Sequence, residues 1–161
     1  MAHLNLEGHG LKASPENAHL VFRQVLVAVD GSPNAARAAR VAITLAKKYE
    51  AELYVLHVIP QPHYLLPSGS LEDYYRDTKK AAEKWVDEVA SLANSQGLKV
   101  KGTILEHAPS VVQFISDYAA KNEVDLVVVG TRGLSGFKKL LIGSTSAGTV
   151  SHAPCNILVV R

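Results

Sequence analysis

The chain has 161 residues, 47% of them hydrophobic, and a formal net charge of +2 with both signs spread along its length, as for one domain with a sizeable core. No apolar run approaches the ~20 residues of a spanning helix, and residues 1–22 lack the basic start and continuous apolar core of a secretion signal. No basic stripe interleaved with aromatics marks a nucleic-acid binder.

A cytoplasmic protein with neither membrane nor nucleic acid as partner is the expectation. The single Cys155 agrees, because no internal disulfide is possible. Its ordinary role would be a small buried hydrophobe beside the last strand.

Residues 1–22 hold His3, His9 and His19 among Gly8, Gly10 and Pro15 without a period. This predicts a flexible arm, with a histidine spacing that fits no compact metal site. The main domain then runs over residues 23–161. Arg23 to Asp30 reads as the first strand. Gly31 turns the backbone, Ser32 suits an N-cap and Pro33 the first helical position. That helix runs to about Tyr49, with Ala39, Ala42, Ile43, Ala46 and Tyr49 facing inward. Leu53 to Ile59 is the second strand, and the prolines at 60, 62 and 67 make a loop. A long helix follows from about Leu71 to Ser95. Leu71, Tyr75, Thr78, Ala82, Trp85, Val89 and Leu92 form its apolar stripe, and Gly97 stops it.

Leu98 to Glu106 is a third strand, less apolar and alternating, which hints at an edge position. Pro109 opens a helix to about Asn122, with Val112, Ile115, Tyr118 and Ala119 inward. Val124 to Gly130 is the fourth strand. Residues 134–142 form a loop with a possible helical turn over 137–140. Gly143 to His152 is a short helix, and Asn156 to Val160 the final strand. Strict alternation with doubly buried strands predicts an α/β fold, an open parallel sheet covered on both faces. Right-handed crossovers favour the strand order 3-2-1-4-5. The switch point then lies between the first and fourth strands, where such sheets bind ligands at the strands' carboxyl ends. Asp30 and Gly130 should be neighbours there.

The most informative stretch is the buried run Asp125 to Val129 followed by Gly130, Gly133, Gly143 and Ser144. Its pattern is G-x2-G-x9-G-[ST]. A strand ending in glycines and leading to a helix start is a geometry that binds phosphate. Glycine lets main-chain N–H groups approach the anion, and the hydroxyls of Ser144, Thr145 and Ser146 can cap the helix or reach phosphate oxygens. Arg132 can reach phosphate too, or be a solvated loop charge, the more ordinary role of Lys138 and Lys139. Asp30 beside a polyphosphate must accept a ribose hydroxyl or share a divalent cation; otherwise it caps the turn before Ser32. His57 reads as a hydrogen-bonded core residue rather than a catalyst. Val58 matters through its N–H and C=O, which can read an adenine edge. There is no Walker motif, no G-x-G-x-x-G, no G-x-S-x-G elbow, no paired cysteine and no H-E-x-x-H. A binding site is legible; a catalytic engine is not.

At Val25 to Ser32, Leu56-His57-Val58-Ile59, the full glycine motif and the ending Ala153 to Val160, the sequence resembles the universal stress proteins over about residues 22–161. The glycine motif is that of the family's ATP-binding branch. The resemblance implies a flavodoxin-like or Rossmann-like adenine-nucleotide-binding domain, usually a homodimer, tied to stress survival. Carried over by position, Asp30 lies near the ribose and phosphates, with any Mg²⁺ or Mn²⁺ arriving on the nucleotide. Ala28 and Val58 line the adenine. Val129, Gly130, Arg132, Gly133, Gly143, Ser144, Thr145 and Ser146 form the ribose-phosphate cradle. Dimerisation would pair the last strand, Ile157 to Val160, across a two-fold axis.

The leading expectation is a module that binds ATP, or ADP, AMP or cyclic AMP, and has no catalytic residues. The alternatives are a slow ATPase or phosphate-transferring enzyme using Asp30 and a metal, and a nucleotide-free dimeric scaffold.

Overall fold

Five parallel strands, β1 (Gln24–Ala28), β2 (Glu52–Pro60), β3 (Val100–Ala108), β4 (Leu126–Gly130) and β5 (Asn156–Val160), pair in the order β3-β2-β1-β4-β5. This is the order expected from the alternation of elements. The computed structural model describes residues 22–62, 70–133 and 142–161. The expected arm up to Val21, part of the proline-rich loop and the helical turn at 137–140 lie outside the described residues. β1 and β4 sit at the centre, and Val25, Leu26, Val27, Val127 and Val128 are fully buried. Asp125 ties these two strands at their base: its Oδ2 accepts the N–H groups of Arg23 at 2.8 Å and Gln24 at 2.9 Å. β3 is an edge strand, as its alternation suggested.

Helices α1 (Pro33–Tyr49) and α2 (Ser70–Ser95) cover one face; α3 (Val111–Lys121) and α4 (Ser144–His152) lie on the other. α1 starts where it should: Ser32 Oγ accepts the Ala35 N–H at 3.1 Å, and Pro33 occupies the first turn. Its buried residues are Ala35, Ala38, Ala39, Ala42, Ile43 and Ala46. This near-continuous alanine face lets the helix lie close on the sheet.

α2 keeps the middle of its expected stripe, with Tyr75 and Ala82 buried and Trp85 and Val89 packed against the core. It departs from expectation at the two ends, where Leu71 and Leu92 are exposed, and in burying Val86 and Ala93. Gly102 on β3 makes room for Val86: a Cβ there would overlap Val86 Cγ1. β3 also runs on to Ala108, past Glu106, with His107 at φ 58.

Candidate functional site

A cleft of about 460 Å³ opens at the carboxyl ends of β1, β2 and β4, within the range of small-molecule sites. The residues picked out from the sequence all line it. Ala28, Asp30 and Val58 come from the β1 and β2 ends, Val129, Gly130, Arg132 and Gly133 from β4 and its turn, and Gly143, Ser144, Thr145 and Ser146 from the start of α4.

Asp30 is fixed from two directions. Its Oδ1 accepts the Ser32 N–H at 2.9 Å, and a Cβ on Gly133 would overlap its Oδ2. The carboxylate therefore lies against the turn after β4, across the crack in the sheet. Ser32 strengthens that link, because its Oγ donates to the Arg132 carbonyl at 3.3 Å while accepting from Ala35.

The three motif glycines do different jobs. A Cβ on Gly130 would stand 2.8 Å from the Asn34 carbonyl carbon, so this glycine lets β4 pass the start of α1. Gly133 makes room for the Asp30 carboxylate. Gly143 is the N-cap of α4, at φ −71 and ψ 158, and makes no side-chain cap bond. Its own N–H donates to the Thr131 carbonyl at 2.7 Å, and the first helical bond runs from Ala147 N–H to its carbonyl at 2.9 Å. The N–H groups of Ser144, Thr145 and Ser146 thus have no partner in the helix, at the end where the dipole attracts negative charge. The hydroxyls are not equivalent. Ser146 Oγ donates to the Gly130 carbonyl at 2.6 Å and is buried, so Ser146 offers a ligand its amide.

The main chain of Val58 is set by the end of a ladder. β1 and β2 pair as far as Ala28 opposite Leu56, and Val29 N–H still donates to the Leu56 carbonyl at 2.9 Å. The next bond of a parallel ladder would run from Val58 N–H to the Val29 carbonyl. Instead His57 Nδ1 holds that carbonyl at 2.7 Å. Leu53 turns its N–H to Lys99 on the β3 side, so the alternation along β2 turns the N–H and C=O of Val58 towards β1, where β1 has already ended.

His57 is 6% exposed, and its Nε2 has no hydrogen-bond partner. Burial pushes its pKa below 6.5, outweighing the Val29 bond and the charge of Asp30, which both act to raise it. Donation to a carbonyl requires Nδ1–H, so the neutral ring carries its lone pair on Nε2. The Trp85 indole packs beside it at 5.4 Å, in a T-shaped arrangement.

Sequence reasoning missed part of the wall. Val111 and Ile115 of α3 line the cleft on the Val58 side, and Thr78 and Trp85 of α2 on the His57 side. Trp85 and Ile115 were legible only as inward-facing helix positions; nothing local marks them as cleft residues. Among the described residues no group of three or more His, Cys, Asp or Glu side chains could hold a metal ion, and no helix is long and apolar enough to cross a membrane.

The universal stress protein family model matches residues 22–161. The chain belongs to that family. A universal stress protein of Methanocaldococcus jannaschii is 31% identical over 160 residues, covering 98% of this chain and 93% of that one. The family member UspA from Lactobacillus plantarum superposes with a TM-score of 0.72 at 30% identity, over 89% of this chain and 100% of that chain. A family structure in complex with cAMP matches at TM-score 0.67 and 23% identity, over 88% and 98%. Two others, from Archaeoglobus fulgidus with dAMP and from Arabidopsis thaliana with AMP, match at TM-score 0.63 with 18% and 20% identity. They cover 88% and 86% of this chain, and 100% and 90% of their own. The M. jannaschii alignment is long enough to enter the first 21 residues, which the family model leaves out.

Proposed function

We propose that this chain is a binding module for ATP or a related adenine nucleotide, whose occupancy is the signal it passes on in a stress response. One observation carries the reading: the α4 start presents its amides uncapped, in the cleft that holds Asp30. Phosphates would take the amides of Ser144, Thr145 and Ser146 and the Arg132 side chain. Asp30 would accept a ribose hydroxyl, or face a Mg²⁺ or Mn²⁺ ion brought by the nucleotide. Such an ion would offset phosphate charge; a lone carboxylate fits an ion shared with phosphate better than a protein-only site.

The base would lie among Ala28, Val111 and Ile115 with its edge on Val58. Adenine offers an N6 donor beside an N1 acceptor, which matches a C=O and an N–H; guanine offers the reverse. The family structures solved with cAMP, dAMP and AMP support this choice of base. Binding rather than turnover is favoured because Asp30 is the one carboxylate among the described residues lining the cleft, and the nearby imidazole has Nδ1 on Val29 and Nε2 buried.

A second copy is proposed as partner through β5. Among the described residues this strand ends the sheet with one edge unpaired, and Ile157, Leu158, Val159 and Val160 are all half-buried. Native mass spectrometry of the purified protein tests both parts. The expected species is a dimer carrying one adenine nucleotide per chain. A ligand-free monomer that takes up no nucleotide on addition contradicts them.

A further inference from the structure

The His57 ring sits between two features of the cleft. On one side its Nδ1–H ends the β1–β2 ladder by taking the Val29 carbonyl. On the other it touches Trp85, whose indole lies so close to Gly31 that a Cβ there would overlap it. Gly31 has φ +79 and is the residue after Asp30.

We propose that His57 is a positioning residue for base recognition: by capping the Val29 carbonyl in place of the Val58 amide, it leaves the Val58 N–H and C=O free for an adenine edge. The inference rests on the nucleotide reading above. A leucine of similar size would leave the Val29 carbonyl without a partner. The Val58 N–H would then close on it, because a buried carbonyl is costly to leave unpaired. The ladder would gain one bond and the base would lose its donor.

The arrangement requires a neutral ring. Protonation would add a hydrogen at Nε2, which is buried and faces no acceptor. From β1 the charge acting on the ring is Asp30. β3 places Ile104 opposite it in register, and α2 presents the indole of Trp85. Asp30 lies on the Ser32 and Gly133 side, with Oδ1 already accepting from Ser32. A charged imidazole would therefore leave its pocket, carrying Val29 and Trp85 with it, and acid would weaken base recognition.

The test compares wild type with His57→Asn and His57→Leu by calorimetry, using Mg-ATP, Mg-GTP and inorganic tripolyphosphate with Mg²⁺. Asparagine can place an N–H near the position of Nδ1 but does not titrate. At pH 7.5 the expectation is strong preference of wild type and His57→Asn for ATP over GTP. His57→Leu should lose about tenfold or more of that preference, the equivalent of one hydrogen bond to the base, with tripolyphosphate binding unchanged. Between pH 7.5 and 5 the wild type should lose ATP affinity that His57→Asn keeps; the phosphate's own protonation is common to both. An unaltered ATP-over-GTP ratio in folded His57→Leu overturns the proposal while leaving the nucleotide reading intact. So does an identical acid loss in His57→Asn. No binding of any of the three probes by wild type overturns the nucleotide reading and this inference with it.

Discussion

Gly133 faces Asp30 so closely that any side chain at 133 would displace the carboxylate. Two segments far apart in sequence meet there, and both line the cleft. Gly133→Ala should therefore act on the ligand more than on the fold. Residue 133 is exposed, so loss of stability should stay below about 1 kcal/mol, while Mg-ATP affinity falls about tenfold or more. Thermal melts and calorimetry on the same sample separate the two effects.

Gly130→Ala should behave in the opposite way. Its Cβ would press on the backbone of Asn34 and Ala35 at the α1 start, and backbone does not yield cheaply. Overpacking of this kind costs about 1–3 kcal/mol, or a Tm loss of about 2–4 °C per kcal/mol for a chain this size. Gly143→Ala meets only ordinary contacts, 3.4 Å and longer, and should be the mildest of the three in a melt. A series in which all three glycines cost the same stability would contradict this division of labour.

Ser32 links the α1 start to the turn after β4. Ser32→Ala removes the cap of α1 and the bond to the Arg132 carbonyl together. The cap alone is worth about 1 kcal/mol. Ser32→Gly should cost less through the cap, yet loosen the Arg132 turn equally. Both variants should weaken Mg-ATP binding to a similar extent despite different melting temperatures.

The pH dependence of stability follows from His57. Its folded pKa is lowered, so the unfolded chain binds the proton more readily. The contribution of the neutral ring is intact above about 6.5, the ordinary imidazole value. It is lost progressively as pH falls below that towards the ring's own lower pKa. Urea titrations of nucleotide-free protein between pH 8 and 5 should show stability falling with acid in wild type, and less so in His57→Asn. Equal slopes would show that the ring titrates normally in the fold.

Cys155 offers a simpler check on packing. Burial, offset in part by a hydrogen bond with the Val127 backbone, pushes its thiol up from the ordinary value. Iodoacetamide at neutral pH should modify it more slowly than a free thiol, with unfolding in urea restoring the normal rate.

The sheet order and the location of the cleft were legible because they rest on periodicity and on glycine spacing, both local in sequence. Ser32 and Pro33 mark the α1 start without ambiguity, and the apolar run before Gly130 could hardly be anything but a central strand. The burial of Val86 on α2 was not legible. It goes with Gly102, a residue of a different element, whose missing side chain admits Val86. The assignment of His57 to the core was right about burial but carried no sign of its partner. Only the pairing of β1 with β2 reveals that its ring takes a carbonyl the ladder would otherwise use. The roles of Gly130 and Gly133 likewise came from neighbours distant in sequence, Asn34 and Asp30, which no spacing rule contains.

The central claim is that unpaired main-chain groups at the switch point hold an adenine nucleotide. Calorimetric titration of the wild-type chain with Mg-ATP, with Gly133→Val beside it, tests this most directly. The account predicts saturable binding of one nucleotide per chain in the wild type and its loss in a Gly133→Val protein that still melts cooperatively. No heat from the wild type at millimolar Mg-ATP, or equal binding by both proteins, would contradict it.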